Sequence, residues 1–165
     1  MKIIVSDTGP ILSLAFLGRL DLLYKNYPDF YLPEAVYKEL KNYLPRYTAF
    51  YEEVLDEILP HVLPINHKEW MTDLNSNLGD GEKECHILLK ETSINYFLTD
   101  DAAARRFAEG LGIVCFGTLA IIIKSKDLGF IDHIRPIFQK LNTSERFFQI
   151  DLMNAILIKL GEELL

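Results

Sequence analysis

Short apolar runs recur along the chain and predict the strands of a sheet. The first run, at 2–6, is rich in β-branched residues and ends at turn-forming residues from Asp7 to Pro10. A run of this kind, bounded by turn residues, is typical of a strand that is buried on both faces. The same pattern predicts strands at 30–32, 96–99 and 113–116, and an extended segment at 62–65.

Segments with apolar residues at helical spacing lie between these runs. The first predicted helix begins near Pro10, and we expect it to continue to Leu23 because Gly18 interrupts the pattern without ending it. Further helices are predicted at 33–44, 47–59, 82–92, 102–110 and 119–126, and two more after 131, separated by the polar stretch 142–145. Strands that alternate with helices indicate βαβ units and a parallel sheet covered on both faces. We therefore predict one α/β domain over 1–165, with four or five strands and a helical C-terminal extension at about 131–165.

The composition is that of a folded domain with an acidic balance. The 165 residues suffice for one domain with its own core, and 49% of them are hydrophobic. A net charge of −7 argues against a protein that coats nucleic acid through a basic surface, but it is compatible with an acidic metal site. Cys85 and Cys115 lack the spacing of a zinc site or disulfide framework, so we expect both in the core. Without a signal-peptide or membrane-spanning pattern, we expect a cytoplasmic protein that does not bind membranes.

Acidic residues follow the predicted strands and helix starts. Asp7 follows the first strand, Asp100 and Asp101 follow the strand at 96–99, Glu82 begins a helix after a turn-rich segment, and Glu39 lies in an earlier helix. Ligands of parallel sheets bind beyond the carboxyl ends of the strands, where these side chains could converge. Packed carboxylates repel one another unless a cation lies among them, and Mg²⁺ and Mn²⁺ prefer carboxylate ligands. Such a site can activate water and hold a phosphodiester.

A series of motifs runs in order along nearly the whole chain. They are IIVSDTGPIL at 3–12, LPEAVYKEL at 32–40, LGDGE at 78–82, LTDD at 98–101, RRFA at 105–108, GTL at 117–119 and GE at 161–162. Together they resemble the motifs of a PIN domain, in particular of its VapC-like branch. The resemblance implies a three-layer α/β/α sandwich and a toxin endoribonuclease that hydrolyses RNA with Mg²⁺ or Mn²⁺. It also implies a small cognate antitoxin as partner, and a homodimer.

The resemblance also implies which residues form the acidic site. The catalytic residues would be Asp7, Glu82, Asp100 and Asp101, and the metal ligands would be Asp7, Glu39, Glu82 and Asp101. Many PIN domains carry Asp in place of Glu82. Glu84 is an alternative to it, but Glu82 places Cys85 and Leu89 on the buried face. A T-x-D pattern in the family favours Asp101 over Asp100, whereas strand alternation permits either. For Glu39, the alternative to a role as metal ligand is a structural role.

Polar neighbours of these acids are candidate substrate-binding residues. The hydroxyls of Thr8, Thr99 and Thr118 would orient metal or water, or would satisfy backbone groups at turns. Arg105 and Arg106 would contact RNA phosphates, which positions a nucleic acid without reading its sequence; a solvated helix face is the alternative.

Two other functions are compatible with acidic residues at strand ends, and each would require different residues. A PIN scaffold with a weakened site would act as a nucleic-acid-binding or regulatory protein, because a fold does not fix function. A receiver domain of the response-regulator type would need a Lys at the end of the last strand, and 116–118 contains none.

Tyr43 and Tyr47 belong to an aromatic cluster, for which core packing, a dimer contact or an antitoxin groove is favoured over base stacking.

Overall fold

The computed structural model describes residues 2–74 and 77–165. Asn75 and Ser76, the first residues of the turn-rich segment before Glu82, lie outside the described residues. Among the helices of the described chain, none is long and apolar enough to cross a membrane.

A parallel sheet forms the centre of the molecule. Within the described residues it has five strands: β1 (Ile4–Ser6), β2 (Phe30–Pro33), β3 (Val62–Leu63), β4 (Tyr96–Leu98) and β5 (Val114–Phe116). Their order is β3-β2-β1-β4-β5, so the first strand is the central one. Val5 pairs with Tyr31 on one side and with Phe97 on the other. All three residues of β1 are buried, as its apolar run predicts.

Helices cover both faces of this sheet. They are α1 (Thr8–Leu17), α2 (Asp21–Asn26), α3 (Glu34–Tyr43), α4 (Tyr51–Ile58), α5 (Asp80–Thr92), α6 (Ala102–Gly110), α7 (Thr118–Asp127), α8 (Arg135–Leu141) and α9 (Ile150–Lys159), with short 3₁₀ turns at 44–46, 59–61 and 68–72. Helix α3 packs on α5 and on α1, and α2 packs on α7. This architecture confirms the predicted α/β/α sandwich.

The predicted long first helix is wrong, because Gly18 ends it. Gly18 adopts φ +69° and ψ +29°, and its N–H bonds to the carbonyl oxygens at the end of α1. The Arg19 amide donates to Leu14 O at 2.8 Å, which completes the hydrogen bonds of a helix C-cap whose glycine is in the left-handed conformation. A new helix, α2, then begins at Asp21. The apolar periodicity continues across the break because both helices bury side chains in the same core.

The two C-terminal helices share the core of the sheet. Phe138 in α8 and Met153 in α9 are fully buried, and α8 packs on α1. Glu162 holds the start of α8, since it accepts hydrogen bonds from Ile134 N at 3.0 Å and Arg135 N at 2.7 Å. The terminal Gly-Glu motif therefore has a structural role at the start of this helix. Of the two cysteines, Cys85 is fully buried as predicted, whereas Cys115 is half-buried.

We predict opposite effects of alanine at two glycines. Gly18→Ala should lower the free energy of unfolding by about 1 kcal/mol, because an L side chain is strained at its left-handed backbone conformation. Gly110→Ala, at the end of α6 and without positive φ, should be neutral or stabilise by a few tenths of a kcal/mol. A Cβ at either position would meet no neighbouring atom of the described residues within 4 Å, so steric clash does not contribute. Urea unfolding of both variants measures this; equal effects would contradict a backbone cause.

Candidate active site

The strand order creates a crevice at the carboxyl end of the central strand. From β1 the chain builds the sheet outward through β2 and β3, and then returns to place β4 on the other side of β1. Ligands of open α/β sheets bind at such a reversal of strand order. Asp7 follows β1 and Thr99 follows β4, and Asp7 N donates to Leu98 O at 2.9 Å. The two strand ends are therefore locked side by side beneath the crevice.

A cleft of about 390 Å³ lies at this position and gathers the predicted acids. Its lining consists of Asp7, Thr8, Gly9, Leu12, Glu39, Tyr43, Tyr47, Gly79, Glu82, Asp100, Asp101 and Arg146. Two cavities are larger, at about 590 and 540 Å³, and the first shares only Arg146 with this cleft, so size alone would not select this one. The convergence of carboxylates selects it: the acids come from 7, 39, 82 and 100–101, far apart in the sequence, and meet at one sheet edge.

Asp7 lies at the bottom of the cleft. It is 6% exposed. One carboxylate oxygen accepts from Thr8 N at 2.7 Å, which caps α1, and the other accepts from Thr99 Oγ1 at 3.1 Å. Behind it, the Cys85 thiol donates to Ser6 O at 3.7 Å. Asp7 is thus held rigidly between the ends of β1 and β4.

The charge of Asp7 is costly in this position. Burial raises the pKa of its carboxyl from an ordinary 3.8 to about 7, and the neighbouring carboxylates of Glu82 and Glu39 add to the rise. The hydrogen bonds from Thr8 and Thr99 act in the opposite direction. A buried acid that is this hard to ionise favours a bound cation, which would remove the cost.

Glu39 ties two helix starts together. Its carboxylate accepts from Thr8 Oγ1 at 2.5 Å, at the start of α1, and from Gly81 N at 3.2 Å, in the first turn of α5. A Cβ at position 81 would lie 2.6 Å from Glu39 Oε1, so the glycine leaves room for this carboxylate. The structural role that the sequence left open for Glu39 is therefore present, and its carboxylate also lines the cleft.

The structure separates Glu82 from Glu84. Glu82 lines the cleft, and its Oε2 accepts from Gly79 N at 2.9 Å in a capping interaction at the start of α5. Partial burial raises the pKa of Glu82, and the charges of Asp101 and Glu39 raise it further. Glu84 does not line this cleft and accepts from Ala35 N at 2.9 Å, at the start of α3.

Asp100 and Asp101 have different partners. Asp100 accepts from Thr118 N at 2.8 Å and from Thr118 Oγ1 at 2.7 Å, so both of its oxygens are engaged at the start of α7. Asp101 caps α6 through one oxygen, Oδ1, which accepts from Ala103 N and Ala104 N. Asp101 is also the exposed member of the pair. It is therefore the better placed of the two to contact a ligand.

The donor chemistry of the cleft fits a hard divalent cation, because carboxylate oxygens are the ligands that Mg²⁺ and Mn²⁺ prefer. The side chains are not yet arranged around one point: in residues 2–74 and 77–165 no group of three or more His, Cys, Asp or Glu is placed to hold a metal ion. Each carboxylate of the cleft accepts a hydrogen bond, but its two oxygens carry further lone pairs, so it can keep that bond and still coordinate a metal. Side-chain movement is required to bring three carboxylates around one ion.

The predicted substrate-binding residues have other contacts than expected. Thr99 and Thr118 are fully buried, and each donates its hydroxyl to a carboxylate, as Thr8 also does. These hydroxyls position the acids, and those of Thr99 and Thr118 cannot reach a substrate. Arg105 donates to Thr99 O and Cys115 O, both at 3.0 Å, and so joins the ends of β4 and β5. Arg106 is exposed on α6 and does not line the cleft.

Two features extend the predicted set of cleft residues: a pair of tyrosines, for which an antitoxin groove is one of three favoured interpretations, and an arginine that was not predicted. Tyr43 and Tyr47, at the end of α3 and in the turn after it, line one part of its wall. Arg146, from the segment between α8 and α9, lines another and approaches Asp100 Oδ2 at 3.4 Å. No local signal marks Arg146, because it is 46 residues from Asp100 and reaches the site only through the packing of the C-terminal helices.

Comparison with known proteins agrees with this arrangement. A family model described as a PIN domain matches residues 3–162. No curated protein matches the chain.

We predict that Asp7→Asn stabilises the metal-free protein as the pH rises. Between pH 4 and 7, folded wild-type Asp7 retains a proton that the unfolded chain has released, so stability falls with increasing pH. Asp7→Asn has no carboxyl at this position, so its stability does not fall with pH for this reason. Its free energy of unfolding, relative to wild type, should rise by up to about 4 kcal/mol from pH 4 to pH 8. Denaturant unfolding in the presence of a chelator measures the difference.

The test depends on the difference in stability between wild type and Asp7→Asn, because other groups also make stability change with pH. Burial lowers the pKa of His86 to about 4, so the unfolded chain binds a proton there up to about pH 6.5. That effect makes stability rise with pH and opposes the contribution of Asp7. His86 is present in both proteins and its contribution cancels in the comparison. Parallel stability curves for wild type and Asp7→Asn would contradict the raised pKa of Asp7.

Proposed function

The chain belongs to the PIN-domain family, and on that premise we propose that it is a metal-dependent endoribonuclease of the VapC toxin type. PIN domains are in general nucleases that act on nucleic acid. The observation that carries the proposal is the convergence of Asp7, Glu39, Glu82 and Asp101 on one cleft at the reversal of strand order. The proposed reaction is hydrolysis of an RNA phosphodiester bond.

The proposed metal site uses the acids that the cleft exposes. Asp7, Glu82 and Asp101 would hold Mg²⁺ or Mn²⁺, with Glu39 as a further ligand or as a support that orients the others. When bound, such an ion lowers the pKa of water and offsets the charge of the phosphodiester. Asp101 suits this role because only one of its oxygens is used for capping. Asp100 instead orients the start of α7 and the side chain of Arg146.

The side chains of Asp7 and Glu82 also contribute to the proposed site through their own contacts and charge. Asp7, fixed by Thr8 N and Thr99 Oγ1, gives the site a rigid reference point. Glu82 is half-buried, and burial together with the charges of Asp101 and Glu39 raises the pKa of its carboxyl in the metal-free cleft, so a cation beside it would favour the ionised form that coordinates metal.

Partners and location form part of the same proposal. A cognate antitoxin would cover the cleft, and a homodimer would use apolar surface outside it. Tyr43 is 44% exposed at the cleft, and Phe50 is 68% exposed nearby in the sequence. Exposed aromatic side chains of this kind are common in protein interfaces. An RNA substrate would place the activity in the cytoplasm.

One observation favours a second candidate, a regulatory or nucleic-acid-binding protein with a weakened site. Among the described acids, none stands in a group ready to hold a metal, and those of the cleft are each engaged in a hydrogen bond. If those bonds outcompete the metal, the scaffold would bind nucleic acid without cleaving it. Metal-dependent hydrolysis separates the two candidates.

We predict that cleavage of single-stranded RNA requires added Mg²⁺ or Mn²⁺ and the acids of the cleft. Asp7→Asn and Glu82→Gln should each lower the single-turnover rate by about a hundredfold or more, since each removes charge from the reacting centre. Glu84→Gln is the matched control from the same helix and should retain most activity. Chelator-resistant cleavage, or cleavage by Asp7→Asn at the wild-type rate, would refute the proposed site.

Metal binding can be followed without catalysis. Saturating Mn²⁺ should raise the melting temperature of wild type by roughly 5 °C, because the ion binds the folded cleft and not the unfolded chain. The rise should be much smaller in Glu82→Gln and the same as in wild type in Glu84→Gln. Equal rises in wild type and Glu82→Gln, measured by calorimetry, would remove Glu82 from the metal site.

A further inference from the structure

The cleft needs a positive charge that the proposed metal site does not supply by itself. Its lining contains five carboxylates, and the whole chain has a net charge of −7. A phosphodiester entering such a cleft meets repulsion from those acids that have no cation beside them. Among the described residues that line the cleft, Arg146 is the one with a positive charge.

The position of Arg146 is built by the fold. Helix α8 packs on α1, and Lys140 Nζ donates to Leu17 O at 3.1 Å. The chain then turns back, with Arg146 N donating to Ser144 Oγ at 3.3 Å. This path brings the guanidinium over the first turn of α1. A Cβ at Gly9 would lie 2.5 Å from Arg146 Nη2, so glycine leaves the space that the guanidinium occupies.

Hydrogen-bonding capacity remains on this guanidinium. Its contact with Asp100 Oδ2 is long, at 3.4 Å, and the two carboxylate oxygens of Asp100 already accept from Thr118. Arg146 Nε is buried and has no partner among the described residues. Nε is therefore closed to a ligand in this arrangement, whereas the Arg146 side chain as a whole is 22% exposed and lines the cleft, so a phosphate would meet its terminal nitrogens. Phosphate oxygens match the planar donor fork of arginine.

We propose that Arg146 is the substrate-binding residue that contacts a phosphate of the nucleic acid in this cleft, and that Gly9 gives it room. The proposal rests on the proposed function in one respect, namely that the substrate is a phosphodiester. It replaces Arg105 and Arg106 as the phosphate contacts, since the first is bonded to backbone carbonyls and the second lies outside the cleft. Arg146 thereby links the C-terminal segment to the chemistry at the sheet edge.

Arg146→Gln is the primary test, with Lys159→Gln as its charge-matched control. Lys159 is exposed in α9 and lies outside the cleft. Single-turnover cleavage of a short single-stranded RNA, over a range of enzyme concentrations and salt, gives the half-saturating concentration, the maximal rate and the salt slope. Arg146→Gln should raise the half-saturating concentration about tenfold and reduce the log–log salt slope by about one unit. Lys159→Gln should change neither.

Two further variants separate binding from a structural role. Arg146→Lys should keep the salt slope but recover only part of the affinity, because it retains the charge without the donor fork. Gly9→Ala keeps the net charge and should displace the guanidinium, so its half-saturating concentration should also rise several-fold. If Arg146 merely neutralised Asp100, Arg146→Gln would lower the melting temperature and the maximal rate while the salt slope stayed that of wild type. That result would overturn the proposal.

The same samples distinguish failure of this inference from failure of the proposed function. If wild type does not cleave RNA with Mg²⁺ or Mn²⁺, the nuclease proposal fails, and fluorescence anisotropy of the labelled RNA still decides the role of Arg146. If wild type cleaves and Arg146→Gln matches Lys159→Gln in affinity and salt slope, only the role of Arg146 is overturned. An absence of both cleavage and RNA binding by wild type would overturn both.

Discussion

The site is governed by a carboxylate buried at the end of the central strand. Asp7 lies where β1 is enclosed by neighbours on both sides, so solvent cannot stabilise its charge, and its pKa rises to about 7. Two hydrogen bonds, from Thr8 N and Thr99 Oγ1, only partly offset the burial. The neighbouring residues are constrained by this fact. Thr99 is fully buried after β4, where its hydroxyl donates to Asp7, and this contact helps to hold the ends of β1 and β4 together.

Helix starts offset part of the repulsion between the acids of the cleft. Asp7 caps α1, Asp101 caps α6, Glu82 bonds to the residue before α5, and Asp100 accepts from the first amide of α7. The positive ends of these helices and their free amides stabilise negative charge in the absence of a metal. The same bonds explain why the carboxylates surround the cleft without yet converging on one point. A cation would draw the carboxylates together through their unused lone pairs, while the amides that cap the helices keep their bonds.

The strand pattern and the acids at strand ends could be predicted from the sequence because both are local signals. A β-branched run followed by a turn residue marks the strand, and parallel strands bring their carboxyl ends to one edge. The end of α1 at Gly18 was missed because apolar spacing continues through it, and the backbone conformation leaves no trace in that spacing. The threonines were recognised as polar neighbours, but their direction toward the carboxylates depends on packing. The helix face favoured Glu82 over Glu84, but the bond from Ala35 N at the start of α3 to Glu84 could not be predicted.

Arg146 is the clearest case of a cleft residue that local sequence patterns do not predict. It directly follows the polar stretch 142–145 between two helices, where solvent exposure is the ordinary expectation. Its position follows from α8 packing against α1 and from Glu162 fixing the start of α8. The absence of a Cβ at Gly9, near the other end of the chain, is the complementary half of the same contact. The C-terminal helices therefore do more than extend the domain, since they bring a cation into a cleft whose other charges are negative. In a protein of net charge −7, a local positive charge of this kind can hold a polyanion at one point while the rest of the surface repels it.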